Sequence, residues 1–197
     1  MRTLIIIDVQ NDFCPGGALA VPGGDEIVDG INAVMADFET VILTQDWHPA
    51  GHSSFASSHK DQAPYDLVEM PYGLQVLWPD HCIQGSVGAA FHPKLETDRA
   101  DLILRKGFRR SIDSYSAFFE NDRTTSTGLA GYLTSRGITG VTMVGLATDF
   151  CVNYSALDAA RLGLDVTVCQ DLCRAIDVDG SLIAAMEGME RAGVTLI

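Results

Sequence analysis

Positive charge is scarce in this sequence: Lys and Arg total 13 against 26 Asp and Glu, a formal net charge of −13. So acidic a chain repels phosphate backbones and anionic headgroups, which argues against nucleic acid and membrane as partners. Long apolar runs are missing as well. The N-terminal one, Leu4 to Ile7, stops at Asp8, too short for a signal h-region or a span of ~20 residues. The expected location is therefore the cytosol. Cysteine is sparse and odd in number. Five cysteines with no regular framework fit a reducing compartment, where a thiol is a small core residue, a metal ligand or a nucleophile. No interface stripe stands out, so a homo-oligomer is neither required nor excluded.

What remains is a core and a rhythm. Of 197 residues, 47% are apolar, enough for one α/β domain spanning 1–197. Residues 3–9 (TLIIIDV) read as a strand buried on both faces. The stretch 25–38 places Ile27, Val28, Ile31, Val34, Met35 and Phe38 on one helical face. Further strands are expected at 40–44, 101–105, 140–145, 165–169 and 194–197, with helices at 126–136, 149–162 and 177–192. Each of these last three helices is followed by a glycine stop. Strand alternating with helix predicts a mainly parallel sheet covered on both faces. One stretch breaks the pattern. Residues 45–100 show no strand or long helix, yet hold all five histidines, which marks a functional insertion rather than a plain connection.

Open parallel sheets bind ligands beyond the carboxyl ends of their strands, near the reversal of strand order. At those ends this sequence places Asp8, then Asp46 with His48, then Lys106, then Cys151. Cys151 would lie in the first turn of a helix, where free N–H groups favour a thiolate and can hold an oxyanion; a buried inert cysteine fits that position equally well. Asp8 and Lys106 alone read as capping and solvated residues. As a trio with Cys151 they make a nucleophile, its base and a cation that lowers the thiol pKa. Cys169 is expected in the core of a strand, and Cys14, Cys82 and Cys173 as inert.

Asp46 and His48 alternate along an extended segment and so face the same way. With His81 they form one carboxylate and two imidazoles, a set suited to zinc, iron or manganese. His52 is a further ligand candidate, though a turn histidine suits its place better. His59 and His92 are expected in exposed loops. Phe13 and Trp78 could hold a flat ring between them but read more simply as core aromatics, and Tyr115 is a weaker candidate.

The segments Ile7-Asp8-Val-Gln-Asn-Asp-Phe13, Thr44-Gln-Asp46-Trp-His48, Trp78-Pro-Asp-His81-Cys82, Lys106-Gly107 and Gly145-Leu-Ala-Thr-Asp-Phe-Cys151 resemble the isochorismatase-like cysteine hydrolases, in their nicotinamidase/pyrazinamidase branch. The match runs nearly end to end. The resemblance implies a three-layer α/β domain whose six-stranded, mainly parallel sheet has the order 3-2-1-4-5-6, with 45–100 as a metal-binding insertion. It implies that Cys151 attacks the carboxamide of nicotinamide, that Asp8 moves the proton, and that Lys106 orients the pair. It also implies an oxyanion hole at the N–H groups of Ala147 and Cys151, beside a cis peptide between Leu146 and Ala147. A divalent metal, zinc first and iron or manganese next, would sit on Asp46, His48 and His81 and meet the pyridine nitrogen. Phe13 and Trp78 fall on the ring-stacking positions, which reverses their reading as plain core. Two rivals stand beside this: a sister hydrolase of carbamoyl or ureido compounds, and a non-catalytic nicotinamide- or metal-binding module. The first would ignore chelators; the second would have no turnover to lose.

Overall fold

A computed structural model describes residues 2–197. In chain order the elements are β1 (Thr3–Ile7), α1 (Val28–Met35), β2 (Thr40–Asp46), β3 (Leu67–Met70), β4 (Gly73–Val76), β5 (Leu102–Lys106), α2 (Leu129–Ser135), β6 (Gly140–Leu146), α3 (Asn153–Arg161), β7 (Asp165–Arg174), α4 (Ser181–Arg191) and β8 (Thr195–Leu196). Six strands pair in parallel in the order β5-β2-β1-β6-β7-β8. Counted along the chain within that sheet, this is the 3-2-1-4-5-6 arrangement implied by the resemblance.

The central strand explains the layering. All five residues of β1 are buried, and their side chains alternate between two cores. Leu4 and Ile6 pack with Val41, Leu43, Val144 and the α1 residues Ile31 and Met35. Ile5 and Ile7 pack on the other face with Ile42, Met143 and apolar residues of α2, α3 and α4. A strand covered on both sides has no polar face to show, hence the unbroken apolar run. Each of these wholly buried Ile or Leu side chains contributes about 1.5–3 kcal/mol by leaving water.

Several boundaries differ from expectation. The helix expected over 25–38 is regular only over Val28–Met35, because residues 22–27 form turns around Gly23, whose φ is +67°. The helix expected from 177 begins at Ser181; Asp177 and Asp179 have φ of 56° and 50°, values no helix admits. In contrast β7 runs past Cys169 to Arg174, a bulge between Met143 and Gly145 letting it pair Gly145 with Cys173 and Leu146 with Arg174. Cys169 is only half-buried there, and Cys173 is the buried one. The 45–100 stretch is not structureless either: β3 and β4 form an antiparallel ribbon. Among the described residues, no helix is long and apolar enough to cross a membrane.

Gly145 illustrates how tightly the central strands approach. Its φ is +119°, and a Cβ there would lie 2.2 Å from the carbonyl oxygen of Ile7. We expect Gly145→Ala to destabilise the chain by about 1–3 kcal/mol. Urea unfolding should show a lower midpoint at unchanged slope; an unaltered midpoint would mean that the strands separate at no cost.

Candidate active site

Strand order reverses at the β1–β6 pair, and the reactive residues gather at the carboxyl ends there. Asp8 follows β1 with φ +49°, a conformation that carries strain for a non-glycine residue. Thr44 on β2 holds it from two directions: its Oγ1 accepts the Asp8 N–H at 3.1 Å and donates to Asp8 Oδ1 at 2.6 Å. Lys106 closes β5, and its wholly buried amine reaches beneath β2. Its Nζ is 2.8 Å from Asp8 Oδ2, donates to Asp46 Oδ1 at 2.5 Å and to the Ser114 carbonyl at 2.9 Å, and lies 3.5 Å from Cys151 Sγ. Nucleophile candidate, carboxylate and cation therefore meet at one point.

Cys151 does not sit in a plain first helical turn. After β6 the Leu146–Ala147 peptide is cis, and Thr148–Val152 form a π-type turn that feeds α3. In it the Val152 N–H donates to the Ala147 carbonyl at 3.1 Å. Ser155 anchors the turn from α3, its Oγ donating to the Cys151 carbonyl at 2.6 Å and accepting the Ala117 N–H at 2.9 Å.

Burial and charge compete at each group. Burial opposes the charge on Lys106, but the Asp46 and Asp8 carboxylates outweigh it and hold its pKa well above the usual lysine range. For Asp46 burial acts upward, yet Lys106 and His48 draw its pKa well below the carboxylate norm. Asp8 goes the other way: burial dominates the pull of Lys106 and raises it. Burial likewise pushes the Cys151 thiol well up, against Lys106 and with the help of Asp8 and Asp46. Lys106 does pull the thiol pKa down as expected, but burial outweighs it. An Asp8 carboxylate oxygen lies within 4.8 Å of the sulfur, a carboxylate of raised basicity beside the thiol.

The second constellation adjoins the first through Asp46. Its Oδ2 lies 3.4 Å from His48 Nε2 and 3.7 Å from His81 Nε2. His48 Nδ1 donates to the Gly107 carbonyl at 2.9 Å and His81 Nδ1 to that of Pro79 at 2.8 Å. Carbonyls only accept, so both Nε2 lone pairs are left to converge with the free carboxylate oxygen. Ligand atoms about 2.1 Å from one tetrahedral ion stand roughly 3.4 Å apart, so the donor set fits a divalent transition metal. Gly107 makes the contact possible: its φ is +66°, and a Cβ there would lie 2.4 Å from His48 Cε1.

Gln10, passed over in the sequence, braces this end. Its Nε2 donates to the carbonyls of Asp46 and Ala89, and its Oε1 accepts the Asp46 N–H at 2.8 Å. His52 is turned to another task. Its Nε2 donates to the Arg109 and Ile112 carbonyls at 2.8 and 3.1 Å, and its Nδ1 accepts from Ser54 Oγ at 2.7 Å. With both nitrogens engaged it ties the 109–112 loop in place. His59 and His92 are partly buried rather than exposed, and His59 Nε2 donates to the Ser53 carbonyl at 2.7 Å.

Beside the two constellations lies a narrow cleft. Asp46, His81, Ala147 and Cys151 line it together with Phe13, Trp78 and Tyr115. Leu19, Asp113, Phe150 and Ile176 complete it without having been foreseen. Trp78 stands edge-to-face against Phe150 at 4.8 Å, and its Nε1 donates to Tyr115 Oη at 3.1 Å. These contacts hold the aromatic side chains of the cleft in fixed orientations.

Comparison with known proteins agrees with this geometry. Residues 2–197 match the Isochorismatase domain. A nicotinamidase of Acinetobacter baylyi is 56% identical over 194 residues, 98% of this chain and 91% of that relative. The solved nicotinamidase/pyrazinamidase of Acinetobacter baumanii superposes with a TM-score of 0.98 at 53% identity, over 100% of this chain and 95% of that one. A pyrazinamidase of Pyrococcus horikoshii, solved in complex with zinc, superposes with a TM-score of 0.79 at 31% identity, over 100% of this chain and 98% of that one. On fold, on site geometry and on likeness over its described length, this chain belongs to the isochorismatase domain family.

Proposed function

We propose that this chain hydrolyses nicotinamide to nicotinate and ammonia, with Cys151 as nucleophile. The observation that carries the reading is the contact of Lys106 Nζ with Asp8, Asp46 and Cys151 beside a cleft lined by aromatic side chains. The likeness to a nicotinamidase at 56% identity supports the substrate. Pyrazinamide, with a similar ring, is the second expected substrate.

In this reading Cys151 Sγ adds to the carboxamide carbon as its proton passes to Asp8. The oxygen gains charge and is met by the N–H groups of Ala147 and Cys151. Asp8 hands the proton to the amide nitrogen, ammonia leaves, and a thioester remains. Asp8 then takes a proton from water as the hydroxyl adds to the thioester, and nicotinate departs with the thiol restored. Lys106 holds the two carboxylates and the sulfur in register throughout. Asp46, His48 and His81 would hold the metal, zinc foremost because a related pyrazinamidase was solved with it. When bound it would supply a Lewis-acid contact for the ring nitrogen. Phe13 and Trp78 orient the ring plane, with Tyr115 behind them.

Ammonia release from nicotinamide tests this. Chelator treatment should raise KM by roughly tenfold or more, since losing a contact of ~1.4 kcal/mol is a factor of ten, and added zinc should restore it. Turnover indifferent to chelator, with preference for a carbamoyl or ureido compound, would replace nicotinamide by that substrate class.

A further inference from the structure

We propose that Asp149 is a positioning residue for the nucleophile, acting as a clamp between the Cys151 turn and the segment that follows β7. The inference rests on Cys151 being the nucleophile. Asp149 sits two residues before it, is 4% exposed, and does not line the cleft. Both its carboxylate oxygens are committed. Oδ1 accepts the Ile176 N–H at 3.1 Å; Oδ2 accepts the Asp177 N–H at 2.8 Å and the Ser181 hydroxyl at 2.5 Å.

These partners belong to separate parts of the molecule that the site needs at once. Ile176 lines the same cleft as Cys151. Asp177, with φ +56°, turns the chain between β7 and α4, and Ser181 is the first residue of α4. A π-type turn is uncommon and loosely held by its own wide hydrogen bonds. Here it carries a thiol that must stay 3.5 Å from Lys106 Nζ. Ser155 secures that turn from the α3 side, and Asp149 secures it from the α4 side. A misplacement of about 1 Å at a reacting atom can cost ~100-fold in rate, so the clamp should weigh on kcat more than on ligand binding.

Asn is the informative replacement. It keeps the shape but has one oxygen, so its amide must face at least one donor whichever way it turns. For Asp149→Asn we expect kcat per folded molecule to fall ~10-fold or more, with the Kd for nicotinate within ~3-fold of the parent. Ser181→Ala, which removes only one donor, should lower kcat ~2- to 5-fold, and it carries the test should Asp149→Asn not fold. Ile176→Ala should raise KM and spare kcat. A reduced Tm with unchanged kcat per folded molecule would overturn the proposal, as would an Ile176→Ala that reproduces the whole loss. Cys151→Ala in the same assay separates the layers: surviving turnover refutes the nucleophile itself, whereas its loss beside a fully active Asp149→Asn refutes the clamp alone.

Discussion

Cys151→Ala should lose ammonia release by on the order of 10⁴- to 10⁶-fold, the scale on which removal of an enzyme nucleophile is felt. The thiol is a small buried group at 7% exposure, and the substitution removes one sulfur without leaving a charge unpaired. Folding should therefore be nearly intact, and nicotinate should still bind, since Phe13, Trp78, Asp46 and His81 line the rest of the cleft. Calorimetric binding of nicotinate together with a continuous ammonia assay reads both. Residual turnover above a few per cent would assign the attack to another group, and no second thiol lines the cleft among the described residues.

Lys106→Met has a different signature, in which stability and activity fall together. Among the described residues the amine is the only Lys or Arg group in ion-pair contact with two wholly or nearly buried carboxylates, Asp8 and Asp46. Its removal strands Asp8 and leaves Asp46 only its imidazole neighbours, and breaking a buried pair from one side costs about 3–5 kcal/mol. At roughly 2–4 °C per kcal/mol for a chain of this length, Tm should drop by ~6–20 °C. Activity should vanish as well, because Asp8 and Cys151 lose the group that holds them in register. The double variant Lys106→Met with Asp8→Asn should regain part of the stability and none of the turnover. If the single variant melted like the parent, the ion cluster would not be a dry buried one, and the electrostatic account of the site would fail.

Much of this was legible in the chain because the elements that carry chemistry are those with the strongest physical patterns. The run TLIII must be buried on both faces, which places Asp8 at its carboxyl end without further information. The same logic put Asp46, Lys106 and Cys151 at the ends of neighbouring strands. Glycine also spoke plainly: Gly137, Gly163 and Gly193 stop their helices with φ of 67°, 83° and 82°. The lysine that draws the thiol pKa down is visible in sequence, whereas the burial that outweighs it is not. The ribbon β3–β4 was missed because its exposed pattern, with Leu67 61% and Leu74 70% accessible, gives no alternation of the usual kind. Gln10 and Asp149 lay in segments that were noticed, but their work is done by hydrogen bonds to backbone groups far along the chain. Nothing local signals that. Leu19, Phe150 and Ile176 are ordinary apolar residues whose presence in the cleft depends on loop paths alone.

The carbonyls of Gly107 and Pro79 have a consequence for how an ion is received. Each imidazole has its proton assigned and its ring swivel arrested beforehand, so capture calls for no rearrangement of the protein. The entropy that a floppy chelate would surrender on loading is lost here during folding instead. What remains to limit occupancy is the stripping of water from the incoming cation, and the apo protein should already show the ring orientations of the loaded one.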